Sequence, residues 1–204
     1  MCEKYYIQRV KQPKEDIFET IPKASLNYWY PTETADYKPK TYGQICRSSL
    51  AWHINMVCEE TQPYAVQTMP NSPVCTDSCM EFFLNLQPED NTFINFEINA
   101  IGTMLLGINQ NGNFRCLDPA LQRKCFVSVK VDNKAGLWQI RLCIPNSLLQ
   151  SIFTQWNPEG TEPVKGNFYK CGDDTKKPHY GSWNPVARRP IDFHCPECFG
   201  EFIY

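Results

Sequence analysis

Residues 79–86, CMEFFLNL, and residues 92–99, TFINFEIN, are two strand-like segments separated by a short linker. In both segments apolar residues occupy every second position, which is the period of a β-strand that buries one face in a core. The linker contains Pro88, Asp90 and Asn91, residue types that favour a turn. The two segments are therefore predicted to form a β-hairpin.

Similar segments recur along the rest of the chain. The further predicted strands are residues 50–58, 126–132, 137–144, 167–171 and 199–204. Residues 126–132 and 137–144 are predicted to form a second hairpin, because Gly136 between them can supply a positive φ in the turn. A long loop, residues 172–197, is predicted between the last two strands.

Only one helix is predicted. Leu148, Leu149 and Ile152 recur at helical intervals within residues 146–156. The chain also contains 16 prolines, which interrupt long helices and suit short strands joined by loops. With 204 residues and no internal repeat, the chain is expected to be a single all-β domain over residues 1–204, a two-sheet antiparallel β-sandwich with one short helix.

The composition argues against several classes of partner. Lys and Arg total 20 against 22 Asp and Glu, a net charge of -2, so the basic excess typical of nucleic-acid or anionic-membrane binders is missing. No apolar run approaches the roughly 18 residues that a membrane span requires. The sequence therefore favours an uncharged partner, with no nucleic acid and no membrane involved.

The chain contains 11 cysteines, many for its length. Its first residues, MCEKYYIQRVKQPKED, lack the apolar region and the cleavage site of a secretory signal peptide. Most cysteines are therefore expected to be reduced, and a cytoplasmic location is favoured for the chain as it begins here. Removal of a leader would instead make it a secreted protein.

Familiar catalytic patterns are absent from the sequence, among them GxSxG, GxxxxGK[ST], GxGxxG and HExxH. His53, His179 and His194 are far apart, so a Cys–His dyad would depend entirely on the fold. Cys195 and Cys198, in HCPEC, have the spacing of half a zinc site, but a structural zinc site needs four ligands. Together with the methionines, the histidines also leave open a haem- or redox-binding sandwich.

Glu81 and Glu97 fall on the outward face of the first predicted hairpin. Three roles are open for them: solvent-exposed surface residues, acceptors of hydrogen bonds from sugar hydroxyls, or the paired carboxylates of a small glycoside hydrolase. A retaining hydrolase needs carboxyl groups about 5 Å apart, a distance that the sequence does not give. Hydrogen bonding to a sugar is the preferred functional role.

Tryptophans indicate where a sugar ring can stack, because the C–H face of the ring packs on a flat aromatic side chain. Trp52 and Trp138 alternate with core positions and are predicted to be buried. Trp183 lies in YGSWNP, among Gly, Ser, Asn and Pro, which is typical of an exposed loop. Trp183 is therefore the predicted stacking platform.

Six strings follow one another in the chain: TDSCMEFFLN (76–85), NFEINAIGTML (95–105), IRLCIP (140–145), NFYKC (167–171), SWNP (182–185) and FHCPECFGEFIY (193–204). In this combination they resemble the family 9 carbohydrate-binding modules and their relatives. The resemblance implies a bacterial-type sandwich module that binds saccharide without catalysis, in polysaccharide breakdown or uptake and alongside carbohydrate-active enzymes. In the best-known members of the family it implies a sugar held between two tryptophans.

The resemblance also implies roles for particular residues. Trp183 matches the tryptophan of the family's SWNP string, and Glu81 matches the acidic residue of its DSxxE string. Related modules place polar contacts to the sugar near Glu97, Asn99 and Asn167.

One departure from the family pattern affects the expected site. Where the better-known modules have a second tryptophan, this chain has Val74, so the two-tryptophan clamp is incomplete. Tyr180 or Tyr64 is the expected substitute, and Arg141 is a further expected hydrogen-bond donor to the sugar. Family members include calcium sites, for which Asp77 is the candidate; a buried aspartate held by backbone amides is the alternative.

Overall fold

In a computed structural model of the chain, residues 2–11, 13–14, 17–32 and 36–204 are described. The strands, numbered in chain order, are β1 (Lys4–Tyr6), β2 (Gln8–Arg9), β3 (Ala24–Ser25), β4 (Tyr28–Tyr30), β5 (Thr41–Arg47), β6 (Ala51–Cys58), β7 (Cys79–Gln87), β8 (Thr92–Asn99), β9 (Met104–Gln110), β10 (Asn113–Cys116), β11 (Phe126–Asp132), β12 (Leu137–Pro145), β13 (Val164–Cys171), β14 (Tyr180–Ser182) and β15 (Gly200–Ile203). Every strand predicted from alternation is present, with its ends shifted by a few residues at most.

The strands form two sheets that pack face to face. In the nine-stranded sheet the order is β1-β15-β13-β7-β8-β9-β10, with β14 paired to β13 and β4 paired to β14. In the six-stranded sheet the order is β11-β12-β6-β5-β2, with β3 paired to β5. The predicted all-β sandwich of two sheets is confirmed. It is not purely antiparallel, because β1 pairs with β15, and β2 with β5, in parallel.

The described residues include two α-helices, α1 (Pro119–Gln122) and α2 (Asn146–Ile152), and turns of 3-10 helix at Ile17–Glu19, Val74–Thr76, Pro88–Asp90 and Pro196–Cys198. The predicted helix is α2, which buries Leu148 and Leu149 and ends at Ile152 instead of residue 156. The sequence does not predict α1, because four residues are too few to show a helical period. None of the helices in the described ranges has the length and apolar character needed to cross a membrane.

The first predicted hairpin is confirmed as β7 and β8, and its register fixes which side chains face outward. Phe82 lies opposite Phe96 in the core between the sheets, whereas Glu81 lies opposite Glu97 on the outer face. This division follows from the alternation of side chains along a strand. The second hairpin, β11 and β12, is also confirmed, and Gly136 in its turn has a φ of 67°.

A buried polar cluster connects the two sheets at one end of the core. Lys170 on β13 places its Nζ 3.4 Å from Glu60 Oε2, just beyond β6, and 2.7 Å from His179 Nε2. The indole N–H of Trp138 on β12 donates to the same Glu60 oxygen at 3.0 Å. Burial, followed by the charge of Lys170, lowers the pKa of His179 to about 4, so a neutral imidazole accepts from the ammonium group.

The structure contradicts the exposed position predicted for Trp183. Its indole is 5% exposed, stacks on Phe202 with ring centroids 5.4 Å apart, and meets Tyr5 edge-on at 6.3 Å. The residue directly follows β14 and its N–H donates to the Phe168 carbonyl, so it continues the sheet and directs its side chain into the core. A Cβ at residue 200 would lie 2.5 Å from the indole, and Gly200 therefore makes room for it.

A second apolar cluster covers the outer face of the nine-stranded sheet. It includes Phe193, which stacks on Tyr169 of β13 with ring centroids 4.1 Å apart and planes 12° from parallel. Phe83, Phe93 and Phe199 are buried in the same cluster. The segment 186–199, called the covering loop below, therefore packs over part of β7, β8 and β13.

Replacing Trp183 with alanine should lower the free energy of unfolding by about 3–5 kcal/mol, because the change leaves a cavity beside Phe202. Urea denaturation of both proteins measures the difference. Phe126→Ala is the control, since Phe126 is 64% exposed and its loss should cost no more than about 0.5 kcal/mol. A similarly small loss for Trp183→Ala would contradict the burial of this indole.

Candidate functional site

A cavity of about 180 Å³ lies between the outer face of the nine-stranded sheet and the covering loop. Glu81, Glu97 and Asp173 contribute carboxyl groups to its wall, and Tyr180, Ile191 and His194 contribute rings and an aliphatic surface. The sheet positions the first three of these residues, on or just beyond β7, β8 and β13. The covering loop and the short strand β14 position the others, so the cavity joins distant parts of the chain.

Glu81 and Glu97 face each other across two paired strands. Their neighbours Met80 and Phe82 point into the core, which directs Glu81 outward. The two residues are only 2% and 4% exposed, because the covering loop packs over them. Their predicted placement on one outward face is confirmed, and the alternative that they are solvent-exposed surface residues is wrong.

The electrostatics of the cavity favour uncharged carboxyl groups. Burial and the neighbouring Glu97 raise the pKa of Glu81 well above its ordinary value. Burial raises the pKa of Glu97 to about 7, and that of Asp173 to about 6. At neutral pH Glu97 therefore lies near the balance between its protonated and ionised forms, and the shift of Glu81 favours its protonated form. A protonated carboxyl group can both donate and accept hydrogen bonds.

Each carboxyl group has one polar neighbour that fixes its orientation. Asn95 Nδ2 donates to Glu97 Oε1 at 2.7 Å. The Cys171 side chain is hydrogen-bonded to Glu81, and the Tyr180 hydroxyl to Asp173. These contacts leave much of the hydrogen-bonding capacity of the three carboxyl groups for a molecule in the cavity.

His194 forms the side of the cavity nearest the sheet edge. Its Nε2 lies 3.9 Å from Glu97 Oε1 and has no hydrogen-bond partner among the described residues, and its Nδ1 lies 3.4 Å from Asp192 Oδ1. Burial lowers the pKa of His194, so the ring is neutral at neutral pH. The ring packs against Phe83 at 5.3 Å and Phe114 at 5.3 Å, centroid to centroid.

Of the aromatic residues expected at the site, only Tyr180 lies there. It is half-buried and lines the cavity. Tyr64 lines a different cavity of about 650 Å³, together with Tyr37 and Glu60. Val74 is fully buried in the apolar cluster of the outer face and offers no ring to a ligand.

Asn99 does not take part in the cavity, contrary to expectation. Its Nδ2 donates to the Gln67 carbonyl and to Asp77 Oδ2, both at 2.8 Å, and its Oδ1 accepts from the N–H groups of Ile101 and Thr103. These four hydrogen bonds use the whole capacity of the amide. Asn99 therefore holds the turn after β8.

Asn167 and Arg141 also lie outside the cavity. The Asn167 amide is fully buried and pairs with the backbone of Asn184, donating to its carbonyl at 3.1 Å and accepting from its N–H at 2.9 Å. Arg141 belongs to β12 in the other sheet, where its guanidinium group lies 4.2 Å from the centre of the Phe18 ring. Sequence motifs alone placed these residues near the sugar, and the register of the sheets separates them.

Asp77 has the surroundings of a structural aspartate. Its Oδ2 accepts from the N–H groups of Val66 and Gln67 at 3.1 and 2.9 Å, in addition to Asn99. Donor hydrogens directed at this oxygen do not fit a calcium site, which needs six to eight oxygen ligands. Within the described ranges, no group of three or more His, Cys, Asp or Glu residues has an arrangement that could hold a metal ion.

The cysteines and histidines are dispersed. Cys195 and Cys198 form a disulfide within the covering loop, which leaves no thiolate there for the zinc site considered above, and the other nine cysteines are free. His53 contacts Ser48, His179 contacts Lys170, and His194 lines the cavity. The three histidines thus lie in separate surroundings.

Comparisons with known proteins agree with this architecture. A model of carbohydrate-binding family 9 matches residues 15–204. A protein from Bacteroides uniformis ATCC 8492, to which carbohydrate binding has been ascribed, is 22% identical, with a TM-score of 0.85 over 100% of this chain and 99% of that chain. Comparison with curated proteins found no matching sequence.

Two further structures are of a family 9 carbohydrate binding module from Caldicellulosiruptor kristjanssonii, 11% identical to this chain. The complex with cellotriose has a TM-score of 0.67 over 98% of this chain and 93% of that one, and the complex with glucose has 0.66 over 98% and 95%. These likenesses show that the sandwich is shared. Because the family model spans nearly the whole sequence, the resemblance is confirmed, and the chain belongs to carbohydrate-binding family 9.

Proposed function

We propose that this chain binds saccharide without catalysis, and that the sugar occupies the cavity between Glu81, Glu97, Asp173, Tyr180 and His194. The observation that carries the proposal is the pair of opposed carboxyl groups, Glu81 and Glu97, at an open concavity on the sheet. Sugar hydroxyl groups are donors and acceptors at once, and so is a protonated carboxyl group. Hydrogen bonds to an ionised carboxylate are also stronger than neutral ones.

The size and the apolar parts of the cavity fit a small ring. Its volume of about 180 Å³ lies below the roughly 300–1,000 Å³ of sites for drug-sized ligands. Tyr180 and Ile191 give it apolar surface for the C–H groups of a sugar. We propose that it accepts one sugar unit at a time, either a monosaccharide or one unit of a chain.

Family membership supports the same function. The family 9 module of Caldicellulosiruptor kristjanssonii forms complexes with cellotriose and glucose, which are neutral sugars. We propose neutral saccharides for this chain too, and a role beside carbohydrate-active enzymes in polysaccharide breakdown. The affinity should be modest, because sugar hydroxyl groups only exchange water for protein partners.

Glu81→Gln should weaken binding of glucose and cellotriose about tenfold or more, because the amide nitrogen of glutamine cannot accept a hydrogen bond, whereas a carboxyl oxygen can. Isothermal titration calorimetry measures the affinity. Because Glu81 is buried and favours its neutral form, the isosteric glutamine should leave the fold intact. Glu159→Gln is the matched control, since Glu159 is exposed and pairs with Arg9. Equal affinities for the wild type and Glu81→Gln would remove this cavity from sugar binding.

The alternative function is a small glycoside hydrolase that uses Glu81 and Glu97. It predicts release of reducing sugar from oligosaccharides, lost in Glu81→Gln. The binding function predicts no release by either protein above a buffer blank. Turnover that depends on Glu81 would replace the binding proposal.

Glu97 should make the protein less stable as the pH rises from about 5 to about 8. Its pKa is about 7 in the folded state and 4.5 ordinarily, so between these values the folded chain holds a proton that the unfolded chain has lost. This contribution, on the order of 3 kcal/mol, is present at low pH and disappears as the pH passes 7.

Glu97→Gln should therefore reduce the difference in unfolding free energy between pH 5 and pH 8, measured with urea at each pH. The loss of this neighbour also lowers the pKa of Glu81, which reduces the difference further in the same direction. Glu159→Gln again serves as control and should leave the difference unchanged. An unaltered difference in Glu97→Gln would show that Glu97 is ionised in the folded state.

A further inference from the structure

Phe114 is an exposed aromatic side chain close to the cavity. It belongs to β10, the edge strand of the nine-stranded sheet, and is 44% exposed. Its contacts place it on the outer face of this sheet, which is also the face that carries Glu81 and Glu97. None of the sequence patterns discussed above points to this residue.

The position of the Phe114 ring depends on a glycine in the neighbouring strand. Gly107 of β9 lies beneath the ring, and a Cβ at that residue would overlap its ring carbons. The absence of a side chain therefore lets the ring lie down on the sheet. The sheet fixes the side of the ring near Gly107, and the rest of the ring remains accessible to solvent.

His194 connects the Phe114 ring to the cavity. The two rings meet edge to face, with centroids 5.3 Å apart and planes at 72°. His194 is also part of the cavity wall, and its Nε2 lies 3.9 Å from Glu97 Oε1. A path from the cavity toward the sheet edge therefore crosses His194 and then reaches Phe114.

We propose that Phe114 forms a second sugar subsite, on which the next ring of an oligosaccharide stacks when its first ring occupies the cavity. This proposal rests on the function proposed above and names its ligand class: oligosaccharides of two or more pyranose units with an apolar C–H face. Stacking on the open side of the Phe114 ring needs no polar partner.

An exposed phenylalanine at a sheet edge can also be simply a surface residue, since single exposed apolar residues are common. Phe126 provides that comparison within the same chain. It is 64% exposed and lies on β11, the edge strand of the six-stranded sheet. A role in sugar binding should therefore distinguish Phe114 from Phe126.

The test is calorimetric titration with matched mono- and trisaccharides of glucose, xylose and mannose. The wild type should bind the trisaccharide of the preferred sugar about fivefold to tenfold more tightly than the monosaccharide, through stacking on Phe114. Phe114→Ala should lose this advantage while keeping the monosaccharide affinity. Phe126→Ala should behave as the wild type. Phe114→Trp should bind the trisaccharide more tightly than the monosaccharide, as the wild type does, because it keeps a flat ring. This second variant also checks that a change at residue 114 leaves the site folded.

The outcomes separate the two proposals. Unchanged trisaccharide affinity in Phe114→Ala, or an equal loss for both ligand lengths, would overturn the subsite and leave the cavity in place. Failure of the wild type to bind any of these sugars would overturn the cavity and the subsite together. Loss of the trisaccharide advantage in Phe114→Ala, with the advantage kept in Phe126→Ala and Phe114→Trp, would support both the cavity and the subsite.

Discussion

The stacking of Phe193 on Tyr169 is the contact on which the site depends. Without it, the outer face of β7 and β8 would present Glu81 and Glu97 to bulk water, where carboxylates are hydrated and ionised. With it, the covering loop encloses the pair, and their charged forms lose hydration, while Glu97 also disfavours ionisation of Glu81. The same contact places His194, the next residue, against Phe83 and Phe114. One aromatic pair thus sets both the shape and the electrostatics of the cavity.

Much of the framework could be predicted from the sequence, because burial with a period of two residues is a local property of strands. The alternation in β7 and β8 predicted their pairing and placed Glu81 and Glu97 on one outward face, as the structure confirms. The burial of these carboxyl groups could not be predicted in the same way. It depends on a loop far along the chain that packs back over the sheet through Phe193.

Trp183 shows how local composition can mislead. Gly, Ser, Asn and Pro around it are typical of loops, yet the backbone hydrogen bond to Phe168 extends the sheet and turns the indole inward. Asn99 and Asn167, expected to contact a sugar, instead bond within the protein, because an amide in a motif gives no sign of whether backbone groups already satisfy it. The sequence did not point to His194 and Asp173, which line the cavity, or to Phe114, the proposed second subsite. Only His194 carried a signal, its position in FHCPEC beside an aromatic residue.

The two sides of β7 serve different purposes. Met80, Phe82 and Leu84 hold the sandwich together, while Glu81 reaches the cavity from between them. The opposite wall comes from a loop whose Ile191 and His194 make no part of the core between the sheets. Ligand preference can therefore change through Ile191 and His194 without disturbing the core between the sheets, and sequences that keep the strands and Phe193 while exchanging these two residues are where new specificities in this family should be sought.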